Sequence, residues 1–303
     1  MGSRRNLSKK SAILDFIPYL VLTIVVVFLL FPVYWMVITS FKRPIDTTTP
    51  TLIPFVDFQP TLRTWTDIVF GFNFYQSVRA LLNSVITATV SATLCVLIGG
   101  AAGYGLSRFR FEKWKNRDIA SFVLAQRMMP PAVALVPLFI MMNYLRLIDT
   151  LIAIILIHTA FNLPFAVWIL KDFFDEIPVE IEEAAMVDGC TRTDAFLKIA
   201  LPLAAPGLVV SWIFCLAFSW NDLMVVLAMA YNKAVTLPWM IATGHSMRAL
   251  EWWTISAYGT LAIVPPMILA ALIQKYIVRG LTFGAVKGCL LYTSDAADDG
   301  ESV

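Results

Sequence analysis

EAAMVDGCTRTDAFLKIALPL, residues 183–203, is the polar segment on which the fold assignment depends, because it lies between two long apolar runs and carries a dense internal pattern. We predict two short helices joined by Gly189, which suits a left-handed C-terminal cap. Pro178 suits the first turn of the first helix, where no backbone donor is needed. Thr191 with Asp194 resembles a capping box at the start of the second helix. Such an ordered pair of helices is typical of a docking surface; a merely solvated loop is the alternative.

The segment resembles the EAA signature of the permeases of binding-protein-dependent ABC importers. The matching residues are Glu183, Ala184, Ala185, Gly189, Ile199, Leu201 and Pro202, and we assign Asp188 to the same surface. The resemblance implies that residues 171–200 form a cytoplasmic coupling loop, which seats in a groove on a separate ATP-hydrolysing subunit. It also implies that Glu183 hydrogen-bonds or pairs with that groove and that Gly189 permits the turn. A purely structural role for Gly189 remains open.

The composition indicates an integral membrane protein. Of the 303 residues, 59% are hydrophobic and 15% are charged, and the mean hydropathy is +0.75. Soluble domains have about 45–50% apolar and about 25% charged residues. Because a helical span needs about 20 apolar residues, we predict an all-α integral membrane protein with six transmembrane helices. The predicted spans are residues 16–40, 80–106, 119–145, 150–170, 201–230 and 252–277.

The distribution of Lys and Arg predicts the orientation. With both termini in the cytoplasm, the cytoplasmic side carries about fifteen of these residues and the opposite side about seven. Residues 1–15 are then a cytoplasmic N-terminus, and 41–79 are an extracytoplasmic loop. This orientation places the coupling loop on the side of the membrane where ATP is found. The resemblance places the chain in the cytoplasmic (inner) membrane of a prokaryote.

Two spans carry unusual residues. The second span presents a small-residue surface that we expect to pack closely against another helix; a surface facing a ligand is the alternative. Its members are Gly99, Gly100, Gly103 and Gly105. The third span is interrupted by Pro130 and Pro131, which break or kink a membrane helix.

A polar run inside the fifth span, Trp220-Asn221-Asp222, is the first candidate for the wall of a translocation pathway. Polar groups in a span are costly and usually face a cavity or a partner. The run resembles a pattern at this position of carbohydrate-type permeases, and an aromatic face beside an amide and a carboxylate suits a sugar. The alternative is interhelical packing, with Asp222 paired to a basic residue.

Further pathway candidates lie in the third and fourth spans. They are Gln126 and Arg127 in the third and Asn162 in the fourth. Arg127 either faces the pathway, pairs with a carboxylate, or extends to the cytoplasmic interface. His158 lies one helical turn from Asn162, and we expect it to be a packing histidine with satisfied hydrogen bonds.

Several functions are disfavoured by the sequence. No GxxxxGK[ST] pattern occurs, so we expect no cofactor bound directly, and ATP with Mg²⁺ used by a partner subunit. The four cysteines are scattered and the two histidines lie far apart, so we expect neither a disulfide nor a metal site. No basic face interleaves with aromatic residues, which disfavours nucleic-acid binding. The partners implied by the resemblance are an ABC ATPase dimer, a second homologous permease, an extracytoplasmic solute-binding protein and the lipid bilayer.

We therefore predict that residues 16–288 form the transmembrane permease domain of an ATP-driven sugar importer, rather than an enzyme. The polar tail 289–303 does not fit the family pattern, and we expect it to be a cloning or read-through artefact rather than a native extension. Alternatives are import of another solute (a polyol, glycerol phosphate or polyamine) and an ATP-independent secondary transporter. An intramembrane enzyme is disfavoured because no paired catalytic motif occurs.

Overall fold

The computed structural model describes residues 3–71, 73–243, 245–246 and 249–282, so the tail 289–303 lies outside the described residues. The described chain is nearly all helical, which confirms the predicted fold class. A two-stranded antiparallel ladder pairs His245 with Leu250 and Ser246 with Ala249. The helices are α1 (Ser3–Thr39), α2 (Arg63–Val69), α3 (Phe74–Arg108), α4 (Asn116–Ala125), α5 (Pro131–Tyr144), α6 (Leu151–Asp175), α7 (Val179–Val187), α8 (Arg192–Leu203), α9 (Ala205–Asn221), α10 (Met224–Met229), α11 (Leu237–Ala242) and α12 (Trp252–Thr282). Short 3₁₀ turns occupy Pro44–Thr47 and Gln126–Met128.

Four of the described helices contain stretches long and apolar enough to cross a membrane. These stretches are Ile17–Thr39, Phe74–Arg108, Leu151–Asp175 and Trp252–Ala271. Two bent pairs of helices also pass the same test, α4 with α5 at 87° and α8 with α9 at 73°. If each bent pair is one span, the total is the predicted six.

The bend between α4 and α5 lies at the predicted proline break. After α4 ends, one 3₁₀ turn carries Gln126 and Arg127, and Met129 is extended because a residue before proline avoids the helical region. Pro131 then begins α5, where its missing N–H costs nothing. The interruption therefore ends one helix, begins another, and leaves two polar side chains at the corner.

The predicted fifth span, 201–230, has different boundaries in the structure. Helix α8 continues through Pro202 to Leu203, with a π-helical turn at Phe196–Ala200. A proline N–H is missing and its ring crowds the carbonyl four residues earlier, so a wider turn before Pro202 relieves the conflict. Helix α9 ends at Asn221, because Asp222 is extended and its carboxylate accepts the Val225 N–H at 2.8 Å. The span is thus shorter than its apolar run.

The predicted close packing of the α3 glycine surface against another helix is confirmed at Gly99 and Gly103, and the partner is α6; a Cβ on Gly105 would meet no atom within 4 Å. A Cβ on Gly99 would lie 2.9 Å from the Ala166 Cβ, and one on Gly103 would lie 2.8 Å from the Lys171 backbone nitrogen. Both distances are too short for a real side chain, so the close approach of the two helices depends on glycine at these positions.

Within the described residues, the chain divides into two compact units, one formed by the part before residue 79 with 240–263, the other by 79–239 with the part from residue 264 onward. In the first unit, Lys42 is 1% exposed. Its ammonium donates to the Thr51 carbonyl at 2.7 Å and lies 4.3 Å from the centre of the Trp35 ring. A buried charge is tolerated there because a carbonyl and an aromatic face replace its hydration.

In the second unit, the Asp149 carboxylate joins the α5–α6 link to the segment after α10. It accepts four consecutive backbone N–H groups, from Tyr231 to Ala234, at 3.0–3.1 Å. Burial alone raises the pKa of Asp149, but these hydrogen bonds outweigh burial and hold the pKa below its ordinary value. The carboxylate therefore fixes one loop upon another while it is ionised.

We expect Asp149→Asn to loosen residues 231–234, because an amide lacks the charge that these N–H groups share. The expected loss is about 1.5 kcal/mol, which is roughly tenfold faster amide hydrogen exchange in that segment. Because the folded-state pKa is lowered, the contribution is present above the ordinary pKa of about 4 and is lost as pH falls through the folded value. Asp67→Asn is the control, since the Asp67 side chain is exposed and forms no hydrogen bond or ion pair with any described residue. Unchanged exchange at 231–234 would contradict the assignment.

Candidate coupling segment and translocation cavity

The turn between the two short helices has the predicted glycine cap. Gly189 has φ +96°, in the left-handed region. Its N–H donates to the Met186 carbonyl at 3.1 Å, and the Cys190 N–H donates to the Ala185 carbonyl at 3.0 Å. This pair of bonds closes the end of α7 as a Schellman motif and satisfies carbonyls that the helix leaves free.

The second short helix begins at the predicted capping box. The Thr191 hydroxyl accepts the Asp194 N–H at 3.1 Å, and the Asp194 carboxylate accepts the Thr191 N–H at 3.4 Å. Lys198 adds an exposed ion pair to Asp194 at 2.6 Å. Pro178 is the N-cap residue of α7 rather than a member of its first turn, because its ψ of 129° is extended.

The residues assigned to coupling lie largely on an outward surface. Glu183, Ala184, Asp188, Gly189 and Pro202 are exposed, and Ala185, Ile199 and Leu201 are half-buried. The Glu183 side chain makes no hydrogen bond or ion pair with any described residue. Val187, one helical turn further along α7, is 87% exposed. An unpaired carboxylate beside a bare apolar side chain is available to a partner. The assignment of these residues to ATPase coupling stays a prediction.

Glu182 lies on the opposite side of α7 and is 3% exposed. The Tyr104 hydroxyl donates to its Oε2 at 2.6 Å, and the Arg108 Nε donates to its Oε1 at 2.8 Å. Arg108 also donates to the Ile177 carbonyl at 2.9 Å. The end of α3 is therefore bonded both to α7 and to the chain just before it.

Aromatic side chains surround this ion pair. The Tyr104 ring lies 5.4 Å from that of Phe174 on α6 and 4.5 Å from that of Phe196 on α8. Leu170, Ala200 and Ala204 are the other buried members of the cluster. The coupling segment, defined here as α7, the Gly189 turn and α8, thus packs on the ends of α3 and α6.

The predicted pathway residues meet at a cavity of about 690 Å³, with one exception. Those in its wall are Gln126, Arg127, Asn162, Asn221 and Asp222. Aromatic rings from α6 and α9 complete much of the remaining wall: Phe161, Phe214 and Phe218. The cavity combines ring faces with a cation, an anion and amides.

Arg127 is held in this wall by α6. Its Nη1 donates to the Phe161 carbonyl at 2.8 Å and to the Asn162 Oδ1 at 2.7 Å, and its guanidinium lies 4.5 Å from the centre of the Phe218 ring. Asn162 in turn donates to the Ser219 hydroxyl on α9 at 3.0 Å. This chain of bonds connects the α4–α5 corner with α6 and α9.

Trp220 is the exception among the predicted pathway residues. It is 5% exposed and does not line the cavity. The α9 residues that do line it recur at positions i, i+3, i+4 and i+7, which is one face of a helix. They are Phe214, Ala217, Phe218 and Asn221. Position 220 does not lie on that face. The prediction that Trp220 lines the pathway was therefore wrong, although Trp220 is adjacent to Asn221 in sequence.

His158 differs from its expected role as a satisfied packing histidine. It is buried, but neither ring nitrogen has a hydrogen-bond partner among the described residues. Its Nε2 lies 3.5 Å from the Asp222 Oδ1, a distance that suits an ion pair when the ring is protonated. The alternative that Asp222 pairs with a basic residue is therefore compatible with the position of His158. Both residues line the cavity.

Comparison with known proteins identifies the family. Residues 95–283 match the model of the binding-protein-dependent transport system inner membrane component. The chain belongs to this family. It is therefore a multi-pass membrane permease of a binding-protein-dependent ABC importer, as the EAA resemblance implied.

Individual relatives extend the match over most of the chain. The permease is 35% identical to the trehalose transport system permease protein SugB of Mycobacterium tuberculosis, over 95% of this chain and 100% of that protein. It is 35% identical to the sulfoquinovosyl glycerol transport system permease protein SmoH of Agrobacterium fabrum, over 86% of this chain and 89% of that protein. A bacterial ABC transporter that imports alginate has the same fold, with a TM-score of 0.68 and 20% identity over 88% of this permease and 97% of that chain.

Sequence reasoning missed Glu182 because its partners are distant in the chain. One local signal was available: Glu182 shares a helix face with Ala185 and Met186, which are half-buried, whereas Glu183 shares its face with exposed Val187. The spacing of four between Tyr104 and Arg108 also places both on one face of α3. Neither pattern identifies the carboxylate that the two residues bind.

The cavity wall predicts a difference in thiol reactivity between neighbouring positions. In a variant with all four cysteines replaced by alanine, Asn221→Cys should react with a membrane-impermeant methanethiosulfonate at least about tenfold faster than Trp220→Cys, because burial both blocks the reagent and disfavours the reactive thiolate. The rates are measured in proteoliposomes by mass spectrometry. Equal rates, or faster modification at 220, would contradict the assignment of the cavity face.

Proposed function

We propose that this permease forms half of the translocation pathway of an ATP-driven carbohydrate importer and is driven through its coupling segment by a separate ATPase. The observation that carries the proposal is the two-sided construction of α7. One side is fixed to α3 through Glu182, and the other presents the unpaired Glu183 and the exposed Val187. A segment that is rigid on its inner side and free on its outer side suits the transmission of a partner's movement.

The energy source is proposed to lie outside this chain. Two ATPase subunits use ATP and Mg²⁺. Each of them has a groove that receives one coupling segment. A second, homologous permease completes the pathway, and an extracytoplasmic binding protein delivers the solute. Solved relatives support these partner types: one is the MetNI methionine ABC transporter, and another is an alginate transporter in complex with a pentasaccharide-bound periplasmic protein.

A carbohydrate is the proposed solute for two reasons. The curated relatives include permeases for trehalose, diacetylchitobiose and sulfoquinovosyl glycerol. The cavity also provides what a sugar requires, which is ring faces for its CH surfaces and hydrogen-bonding groups for its hydroxyl rim. Phe218 supplies such a face next to Arg127, and Asn221 and Asp222 supply polar groups nearby.

The orientation follows from the basic residues. We propose that both termini and the coupling segment are cytoplasmic, because Lys and Arg are concentrated on that side, and that the membrane is the inner membrane of a prokaryote. Residues 1–15 would precede the membrane, residues 16–288 would form the transmembrane domain with its coupling loop at 171–200, and 289–303 would lie outside the domain.

The first test is purification of the tagged permease from its native host in mild detergent, with mass spectrometry of the proteins recovered. A P-loop ATPase and a second permease are expected, together with uptake of a radiolabelled sugar such as trehalose or maltose by the reconstituted complex when ATP is enclosed. Recovery of this chain alone, with solute flux in liposomes that lack ATP, would favour the secondary-transporter alternative.

We expect Gly189→Ala to reduce ATP-driven uptake while leaving membrane insertion intact. An added Cβ meets no atom within 4 Å there, so its cost arises from the left-handed backbone and is about 1–2 kcal/mol. Gly105→Ala is the matched control, because its Cβ is also unobstructed and its backbone is helical. Normal uptake by Gly189→Ala, or an equal loss in both variants, would contradict the coupling role of the turn.

A further inference from the structure

Among residues 17–71, 73–243 and 251–271, whose side chains the structure describes, Glu182 is the only buried acidic residue. Removing a carboxylate from water costs several kcal/mol unless it is paired and its remaining lone pairs accept hydrogen bonds. Here both oxygens are occupied, Oε1 by Arg108 and Oε2 by Tyr104. Packing alone does not require a charge at this position, since the surrounding cluster is aromatic and aliphatic.

We propose that Glu182 is the positioning residue through which movement of the coupling segment reaches the transmembrane helices. The inference rests on the proposed docking of an ATPase subunit on this segment. Its three contacts, with Arg108, with Tyr104 and through Arg108 with the Ile177 carbonyl, fix both the position and the rotation of α7 relative to α3. When α7 is displaced, α3 must follow or these bonds must break.

Among the described residues, one other charged side chain of the coupling segment reaches the end of α3: the Arg192 guanidinium lies 5.0 Å from the centre of the Phe109 ring, a cation–π contact without the fixed donor–acceptor geometry of a hydrogen bond. The Asp194–Lys198 ion pair and the Thr191–Asp194 capping box connect α8 only to itself. The ring contact between Tyr104 and Phe196 does cross to α3, but apolar contacts tolerate sliding, whereas directional bonds to a carboxylate do not. Glu182 is therefore the point at which displacement of α7 is transmitted to α3 by directional bonds.

A continuous set of packed groups leads from Glu182 to the cavity. Helix α3 carries Gly99, which lies against the Cβ and backbone of Ala166, and Gly103, which lies against the α6 backbone at Lys171. Helix α6 carries Asn162, which binds Arg127 in the cavity wall at 2.7 Å. Because close helix contact at glycine leaves little room for independent movement, displacement of α3 should alter the cavity.

The test measures cavity access directly and needs no knowledge of the solute. The importer complex is reconstituted with Asn221→Cys as the only cysteine in this permease, and its reaction with an impermeant thiol reagent is followed with and without a non-hydrolysable ATP analogue. In the parent complex we expect the analogue to change the rate about tenfold, within the usual range of coupling between sites. In Glu182→Gln the analogue should still bind, but the rate should no longer change.

Two further variants separate transmission from stability. Arg43→Ala removes an exposed ion pair outside the coupling segment, that with Asp46, and should keep the full response to the analogue. Glu182→Gln with Arg108→Met removes both buried charges, so it avoids an unpaired cation and should assemble with the ATPase as the parent does. Because the directional bonds are still missing, this double variant should remain unresponsive in cavity access.

The outcomes are distinguishable. A response in Glu182→Gln equal to that of the parent would overturn the inference and leave the proposed importer standing, as would a full response in the double variant. A parent complex whose cavity access does not respond to nucleotide would overturn the proposed coupling itself, and the inference with it.

Discussion

The structure of the coupling segment depends on one buried ion pair. Burial of Glu182 is favourable only while Arg108 and Tyr104 hold its two oxygens. That requirement fixes the face of α7 that turns inward, and Glu183, one residue along, is consequently turned outward. Gly189 and the capping box then set the direction in which α8 leaves. The buried contacts of Glu182 thus determine which side of α7 is exposed to a partner.

Helix breaks have a comparable role at the cavity. Pro130 ends the turn that carries Arg127, and the extended Asp222 ends α9 beside His158. In a membrane, backbone freed from a helix is tolerated where it lines a cavity or is satisfied by neighbours. Arg127 and Asp222, the two oppositely charged side chains of the cavity wall, therefore lie at these interruptions, and the continuous helix α6 adds Asn162 and His158.

Features that depend on neighbours in sequence were predictable. Gly189, the Thr191–Asp194 box and the proline break each follow from the conformational limits of a few adjacent residues. The burial of Glu182 and the orientation of Trp220 away from the cavity were not predictable, because each depends on which helix, distant in sequence, packs alongside. The small-residue surface of α3 is intermediate: the sequence indicated close packing, and only the structure shows that α6 is the partner.

The central claim is that α7 and α3 move as one body, and a distance between them tests it most directly. Spin labels replace Val179 on α7 and Leu97 on α3, both exposed, in the cysteine-free importer complex, and pulsed electron paramagnetic resonance gives the distance with and without a non-hydrolysable ATP analogue. We predict one narrow distribution that nucleotide leaves unchanged and that broadens in Glu182→Gln. A parent distance that shifts with nucleotide would contradict the account, because α7 would then move independently of α3.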